Sequence, residues 1–194
     1  TKWPYVTRYN QMSTRKGEVV LLEDFLADAI KKAEKKSKKK SYAKTIGTAA
    51  VRYVILKNSA DKIINFNLDD ALNFEGDTGP YLLYSYARAS SILRKIKENK
   101  KIELKYDELE PQEIELIKKF AEFPEIVLKS YNNSEPSYIA NYSYKLAQAF
   151  SDFYQNCPVM KSKNEKFRIL LVKSFRQVLK NSLGLLGIDV LEEM

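Results

Sequence analysis

The 194 residues suit one domain, or one domain with part of another, against roughly 100–200 residues per domain. Their 44% apolar and 30% charged content, with six Gly and six Pro, describes a soluble and largely helical chain. With no His and a single Cys, the chain excludes Ser-His-Asp and Cys-His catalysis, a His/Cys zinc site and an internal disulfide.

The net charge of +8 is unevenly spread: residues 1–60 carry 14 Lys and Arg against 5 Asp and Glu, and the rest carry 19 against 20. The longest charge-free stretch is the ten residues from Thr78 to Ala87, too short to span a bilayer. Position 1 is Thr and no signal-peptide pattern follows. These features predict a cytoplasmic protein, no membrane partner, and a sequence that is a piece of a longer one.

In chain order, residues 1–22 alternate apolar and polar groups around Gly17 and read as a strand, a loop and a second extended segment. A helix is predicted from Glu23 to about Lys36, with Phe25, Leu26, Ala29, Ile30 and Ala33 on one face and lysines complementing the dipole at its end. The basic run from Lys31 to Lys40 reads either as a solvated helix end or as a contact for RNA phosphates. A second helix covers about Tyr42 to Leu56. The stretch from Asn65 to Pro80, with two Gly and a Pro, is punctuated like a junction. It divides the chain into residues 1–76 and 77–194.

Beyond Pro80, which suits a first helical turn, helices are predicted at about 80–98, 111–131, 136–155 and 164–186. The longest apolar stripe runs through Phe167, Leu170, Leu171, Phe175, Val178, Leu179, Leu183 and Leu186, and Gly187 fits a C-terminal cap. Four helices with short connections make a bundle. Asp69 and Asp70 precede a short helical segment, where capping and dipole complementarity account for them better than catalysis does. Cys157, between Asn156 and Pro158 with no cation beside it in sequence, reads as a buried structural thiol.

Several segments carry a resemblance in order along the chain. Met12-Ser13-Thr14-Arg15-Lys16-Gly17 resembles the mobile K-M-S-K-S loop of class I aminoacyl-tRNA synthetases, in a form seen in arginyl enzymes. Gln11 and Thr14 stand where the two consensus lysines would be. Ile46-Gly47-Thr48-Ala49-Ala50-Val51-Arg52-Tyr53 is similar to the segment that follows this loop in arginyl-tRNA synthetases, and residues 71–88 to their junction and first anticodon-domain helix. Residues 146–159 and the closing Gly184-Leu185-Leu186-Gly187-Ile188 continue the match. On these blocks the chain resembles the C-terminal part of an arginyl-tRNA synthetase.

The resemblance implies a mainly α fold, an all-α anticodon-binding helix bundle of the DALR type preceded by the tail of a class I α/β (Rossmann-type) catalytic domain. The implied reaction attaches arginine to tRNA(Arg) with ATP as co-substrate and Mg2+ expected in the full-length enzyme. Within it, Met12, Ser13, Thr14, Arg15 and Lys16 would bind ATP, and Arg15 and Lys16 would be catalytic. Cations on such a loop stabilise the charge that builds on departing pyrophosphate. The H-I-G-H half of the class I signature needs His, which is absent, so the segment alone is expected to be inactive. A monomer is expected, with no metal held by this segment.

Unpaired anticodon bases are read by stacking on aromatic faces and by hydrogen bonds to their edges, and the chain has 13 Tyr. Tyr81, Tyr84, Arg88, Ser91 and Lys95 follow at spacings of three and four and share a helix face. Lys166, Lys173, Arg176 and Lys180 share another. The resemblance adds Tyr154 and Met194. The anticodon-binding candidates are therefore Tyr81, Tyr84, Arg88, Tyr154, Lys173, Arg176 and Met194, each set against plain packing or a solvated basic face. Two other functional readings stay open: a tRNA-binding module without catalysis, and a helical scaffold that binds protein through its last helix.

Overall fold

The structure is a computed structural model that describes residues 6–8, 22–37, 39–96 and 108–194. The loop of Met12, Ser13, Thr14, Arg15, Lys16 and Gly17, and Lys38 of the basic run, lie outside the described residues. Helix α1 spans Leu22–Lys36 and α2 spans Ala43–Leu56 after a single 3-10 turn at Lys40–Tyr42. Strand β1 (Val6–Arg8) runs parallel to β2 (Ile63–Asn65), with Val6 opposite Ile63.

The short α3 (Leu68–Ala71) is capped by Asn67, whose Oδ1 accepts from the backbone N–H groups of Asp69 and Asp70 at 2.9 and 3.3 Å. Those two carboxylates sit in the first turn, where the dipole favours them, and Asp69 also pairs with Lys32 at 3.0 Å.

The bundle follows in α4 (Gly79–Arg94), α5 (Pro111–Asn133), α6 (Ser137–Asn156) and α7 (Glu165–Leu185). The starts of α4 and α5 are written locally. Thr78 accepts from the Tyr81 N–H ahead of Gly79 and Pro80, and Pro111 opens α5 at a position where no backbone donor is lost. The end of α7 is a left-handed turn: Gly187 has φ +68°, and Ile188 and Gly187 donate back to Leu183 and Gly184, both at 2.9 Å. The predicted C-terminal cap is in place.

One hydrophobic core joins α1 and α2 to the four bundle helices. Two glycines set the closest approaches within it. A Cβ on Gly47 would stand 2.9 Å from the Ile30 backbone, and one on Gly79 only 2.3 Å from the Ala49 carbonyl oxygen. Thus α2 meets α1 on one side and the start of α4 on the other, backbone to backbone. Tyr53 of α2, fully buried, extends the join: its hydroxyl hydrogen-bonds to Asp77 at 2.5 Å and lies 3.2 Å from the Ala140 carbonyl of α6.

A second fixed point lies at the other end of the bundle. Glu113 of α5 is 0% exposed and accepts from the Glu110 backbone N–H at 2.8 Å and from Arg168 Nε of α7 at 2.6 Å. Arg168 also donates to the Pro158 carbonyl at 2.9 Å. Nearby Cys157 is buried, and burial pushes its thiol up, so the thiolate is disfavoured.

Candidate nucleic-acid interface

Helices α4 and α6 lie side by side, and the tyrosines on their outward edges meet over Arg88. The Arg88 guanidinium lies 4.7 Å from the Tyr84 ring centre and 5.3 Å from that of Tyr154, and it donates to the Tyr84 hydroxyl at 3.0 Å. Such contacts hold a cation and two ring faces in register. Tyr84 stays 40% exposed and Tyr154 43%, although both belong to helices whose opposite faces form the core.

Tyr154 is braced from within. Its ring lies 6.5 Å from that of Phe150, which in turn stacks on Phe175 of α7 at 3.8 Å and 4°. The exposed ring is therefore mounted on a rigid aromatic column.

These residues border a hollow of about 490 Å³ lined by Tyr81, Tyr84 and Arg88 of α4 and Ser151 and Gln155 of α6. Lys36 and Ser37 at the end of α1, Ile46 of α2, Phe74, Glu75 and Met194 complete it. Tyr81 is half-buried and packs edge-on against Tyr144 at 5.8 Å. Burial raises its hydroxyl pKa, so it remains a neutral donor. The hollow thus combines ring faces, a guanidinium, an ammonium at its rim, hydroxyls, an amide and one carboxylate, that of Glu75. That set can stack a flat base, hydrogen-bond its edges and neutralise a phosphate.

The structure brings Tyr81, Tyr84, Arg88 and Met194 to this hollow, with Tyr154 beside them. Lys173 and Arg176 stand elsewhere, around a second hollow with Arg94, Ser90 and Glu192. Arg176 donates to the Glu192 carboxylate at 2.9 Å and to the Tyr86 hydroxyl at 3.1 Å. Helical spacing puts Lys173 and Arg176 on one face but carries no information about the acidic residue that folds onto it. The basic run is divided: Lys32 pairs with Asp69 and Lys39 with Glu193, while Lys36 reaches the first hollow.

Sequence reasoning missed Ser151, Gln155, Phe74 and Glu75. The first two were findable, since Ser151 and Gln155 lie one turn apart and flank Tyr154 on α6. Among the described residues no group of three or more His, Cys, Asp or Glu side chains is placed to hold a metal ion. No described helix is long and apolar enough to cross a membrane.

Residues 82–194 match the family described as DALR anticodon binding domain. The chain is 43% identical over 197 residues to an arginine–tRNA ligase of Clostridium perfringens (strain 13 / Type A), across 95% of this chain and 35% of the ligase. Among solved structures it is similar to the Thermus thermophilus arginyl-tRNA synthetase, with a TM-score of 0.87 and 31% identity over 98% of this chain and 34% of that one. The arginyl-tRNA synthetase of Plasmodium falciparum gives a TM-score of 0.81 and 29% identity over 91% and 34%. The chain spans about a third of the length of the relatives it matches. These matches bear out the resemblance carried by the ordered sequence blocks, and with it the mainly helical fold.

Proposed function

Because the chain belongs to the DALR anticodon-binding domain family, we propose that its first hollow holds the anticodon loop of tRNA(Arg). In the longer protein this serves an arginine–tRNA ligase, with residues 1–76 ending the catalytic domain and 77–194 forming the anticodon-binding domain. The observation that carries the reading is the Arg88 guanidinium lying against the exposed Tyr84 and Tyr154 rings beside a hollow of about 490 Å³. Tyr84 and Tyr154 are the stacking surfaces. Arg88 supplies charge and planar donors between them, Tyr81 and Gln155 the edge contacts, and Lys36 a phosphate contact at the rim.

Lys173 and Arg176 enter this proposal differently from the rest. With Arg176 already bonded to Glu192 and Tyr86, its part is to hold the segment that carries Met194. The Met12–Gly17 loop belongs to the catalytic half of the proposal: Arg15 and Lys16 would meet the pyrophosphate of ATP, with Ser13 and Thr14 beside them. Arginine, ATP and Mg2+ are partners of the longer enzyme, acting in the cytoplasm as a monomer.

The test is binding of an anticodon stem-loop of tRNA(Arg) to wild-type chain and to Tyr154→Ala. Loss of one stacking platform is expected to weaken binding by roughly 1–3 kcal/mol, with wild-type affinity falling steeply as salt rises. Affinity unchanged in a variant that melts like wild type would overturn the reading.

A further inference from the structure

Residues 186–194 leave α7 and cross back over the bundle without forming a helix or strand. Such a segment has no internal hydrogen-bond ladder, so its course depends on what grips it. Leu186 and Ile188 are buried, and the Gly187 carbonyl accepts from Arg52 of α2.

Further on, three donors converge on Glu192. Its carboxylate accepts from the Tyr86 hydroxyl at 3.0 Å and from Arg176 Nη2 at 2.9 Å, while its backbone carbonyl accepts from Arg94 Nη1 at 2.8 Å. The Tyr86 residue is 0% exposed, so its hydroxyl is a fixed point, and the Arg176 guanidinium lies over the same ring at 5.4 Å. Tyr86 and Arg94 belong to α4 and Arg176 to α7, which makes the cradle rigid on both sides. Glu193 turns the other way, accepting from the Tyr42 hydroxyl at 2.7 Å and from Lys39. The next residue is Met194, a lining residue of the first hollow.

We infer that Glu192 is a positioning residue: held by Tyr86, Arg176 and Arg94, it fixes the closing segment so that Met194 stands as one wall of the loop-binding hollow. The inference rests on the anticodon-loop reading of that hollow. Glu192 acts through Met194 and makes no contact with RNA itself. Glu193 is the weaker anchor: its partners Lys39 and Tyr42 are solvent-exposed and half-buried, whereas Glu192, itself about as exposed, is met by the fully buried Tyr86 and held again at its carbonyl by Arg94.

The experiment uses the full chain with 13C-labelled methionine methyl groups, of which there are three, on Met12, Met160 and Met194. The Met194 signal, assigned by its loss in Met194→Leu, is expected away from the position of a freely mobile methionine because tyrosine rings surround the hollow. In Glu192→Ala it should collapse to that mobile position while the Met160 signal stays, and Glu192→Gln, which keeps one acceptor oxygen, should restore most of the displacement.

Stem-loop binding supplies the second arm. Met194→Ala and Glu192→Ala should each weaken it by up to about tenfold, the span of a methionine–ring contact. The double variant should bind no worse than the weaker single one. A Met194 signal indifferent to Glu192→Ala, or losses that multiply in the double variant, would overturn the inference. A collapsed Met194 signal with stem-loop affinity unchanged in both Met194→Ala and Tyr154→Ala would leave Glu192 holding Met194 and instead overturn the anticodon reading.

Discussion

Ser134 has a φ of +51°, one of two positive values at non-glycine positions among the described residues. It closes α5 in a left-handed turn, with the Glu135 N–H returning to the Ser130 carbonyl at 3.0 Å. A side chain in that conformation costs roughly 1–2 kcal/mol that glycine avoids, partly offset by the looser unfolded chain. Ser134→Gly should therefore raise stability by about 0.5–1 kcal/mol in urea unfolding, and a fall would show that the serine side chain supports the turn.

Tyrosines show the same dependence on surroundings. Tyr53, Tyr86 and Tyr142 are buried, with hydroxyls bonded to Asp77, Glu192 and the Lys119 carbonyl. Burial raises the hydroxyl pKa of each. Tyr84 and Tyr154 face solvent. The spacing of Tyr81, Tyr84 and Arg88 on one helix made half of the candidate site legible. Tyr154 and Met194 came through resemblance, because their nearness to α4 is a tertiary fact. Arg176 looked identical to Arg88 in pattern and differs only in having a carboxylate delivered to it from 16 residues away.

Helices α4 to α7 were legible because each carries an apolar stripe at helical spacing, and α4, α5 and α6 add a proline at or beside their starts, in Pro80, Pro111 and Pro136. Pattern reading ended α5 near 131, and the left-handed Ser134 carries it to Asn133. β2 escaped, being three residues long and too short for a period to register, and the short helical segment expected after Asp69 and Asp70 proves to contain them in its first turn. Also illegible was the tie between α5 and α7, because nothing local marks Glu113 and Arg168 as partners 55 residues apart. Arg168→Met should destabilise the chain by about 3–5 kcal/mol, since it strands a buried carboxylate. Removing both charges in Glu113→Leu with Arg168→Met should recover part of that loss. Chemical unfolding of the single and double variants checks both, and equal losses would mean that the helix-start contact to the Glu110 N–H matters more than the pair.

At the scale of the molecule, the closing segment binds the bundle to the α1–α2 side through two carboxylates. Hydrogen bonds from Lys39 and Tyr42 hold the Glu193 carboxyl below its ordinary value. For Glu192, burial works to raise the carboxyl, but bonds from Arg176 and Tyr86 outweigh it and the value is lowered. A carboxyl whose native pKa lies below the unfolded value of about 4.3 contributes stability above that value and loses it as pH falls through the native pKa. The two carboxylates should therefore hold the segment at neutral pH and stop contributing only at a pH below the ordinary carboxyl value. The Met194 methyl signal followed as pH falls from 7 tests this, and release while the pH is still above 5 is the contrary result. High salt should weaken both pairs, since Lys39–Glu193 and Arg176–Glu192 are each partly exposed.

Gly47 and Gly79 leave no side-chain cushion between α2 and its two neighbours. A joint of bare peptide against bare peptide has little compliance, so the place of α1 is set directly by α2, which also lends Ile46 to the hollow. Any structure built onto α1 is thereby oriented relative to whatever the hollow holds.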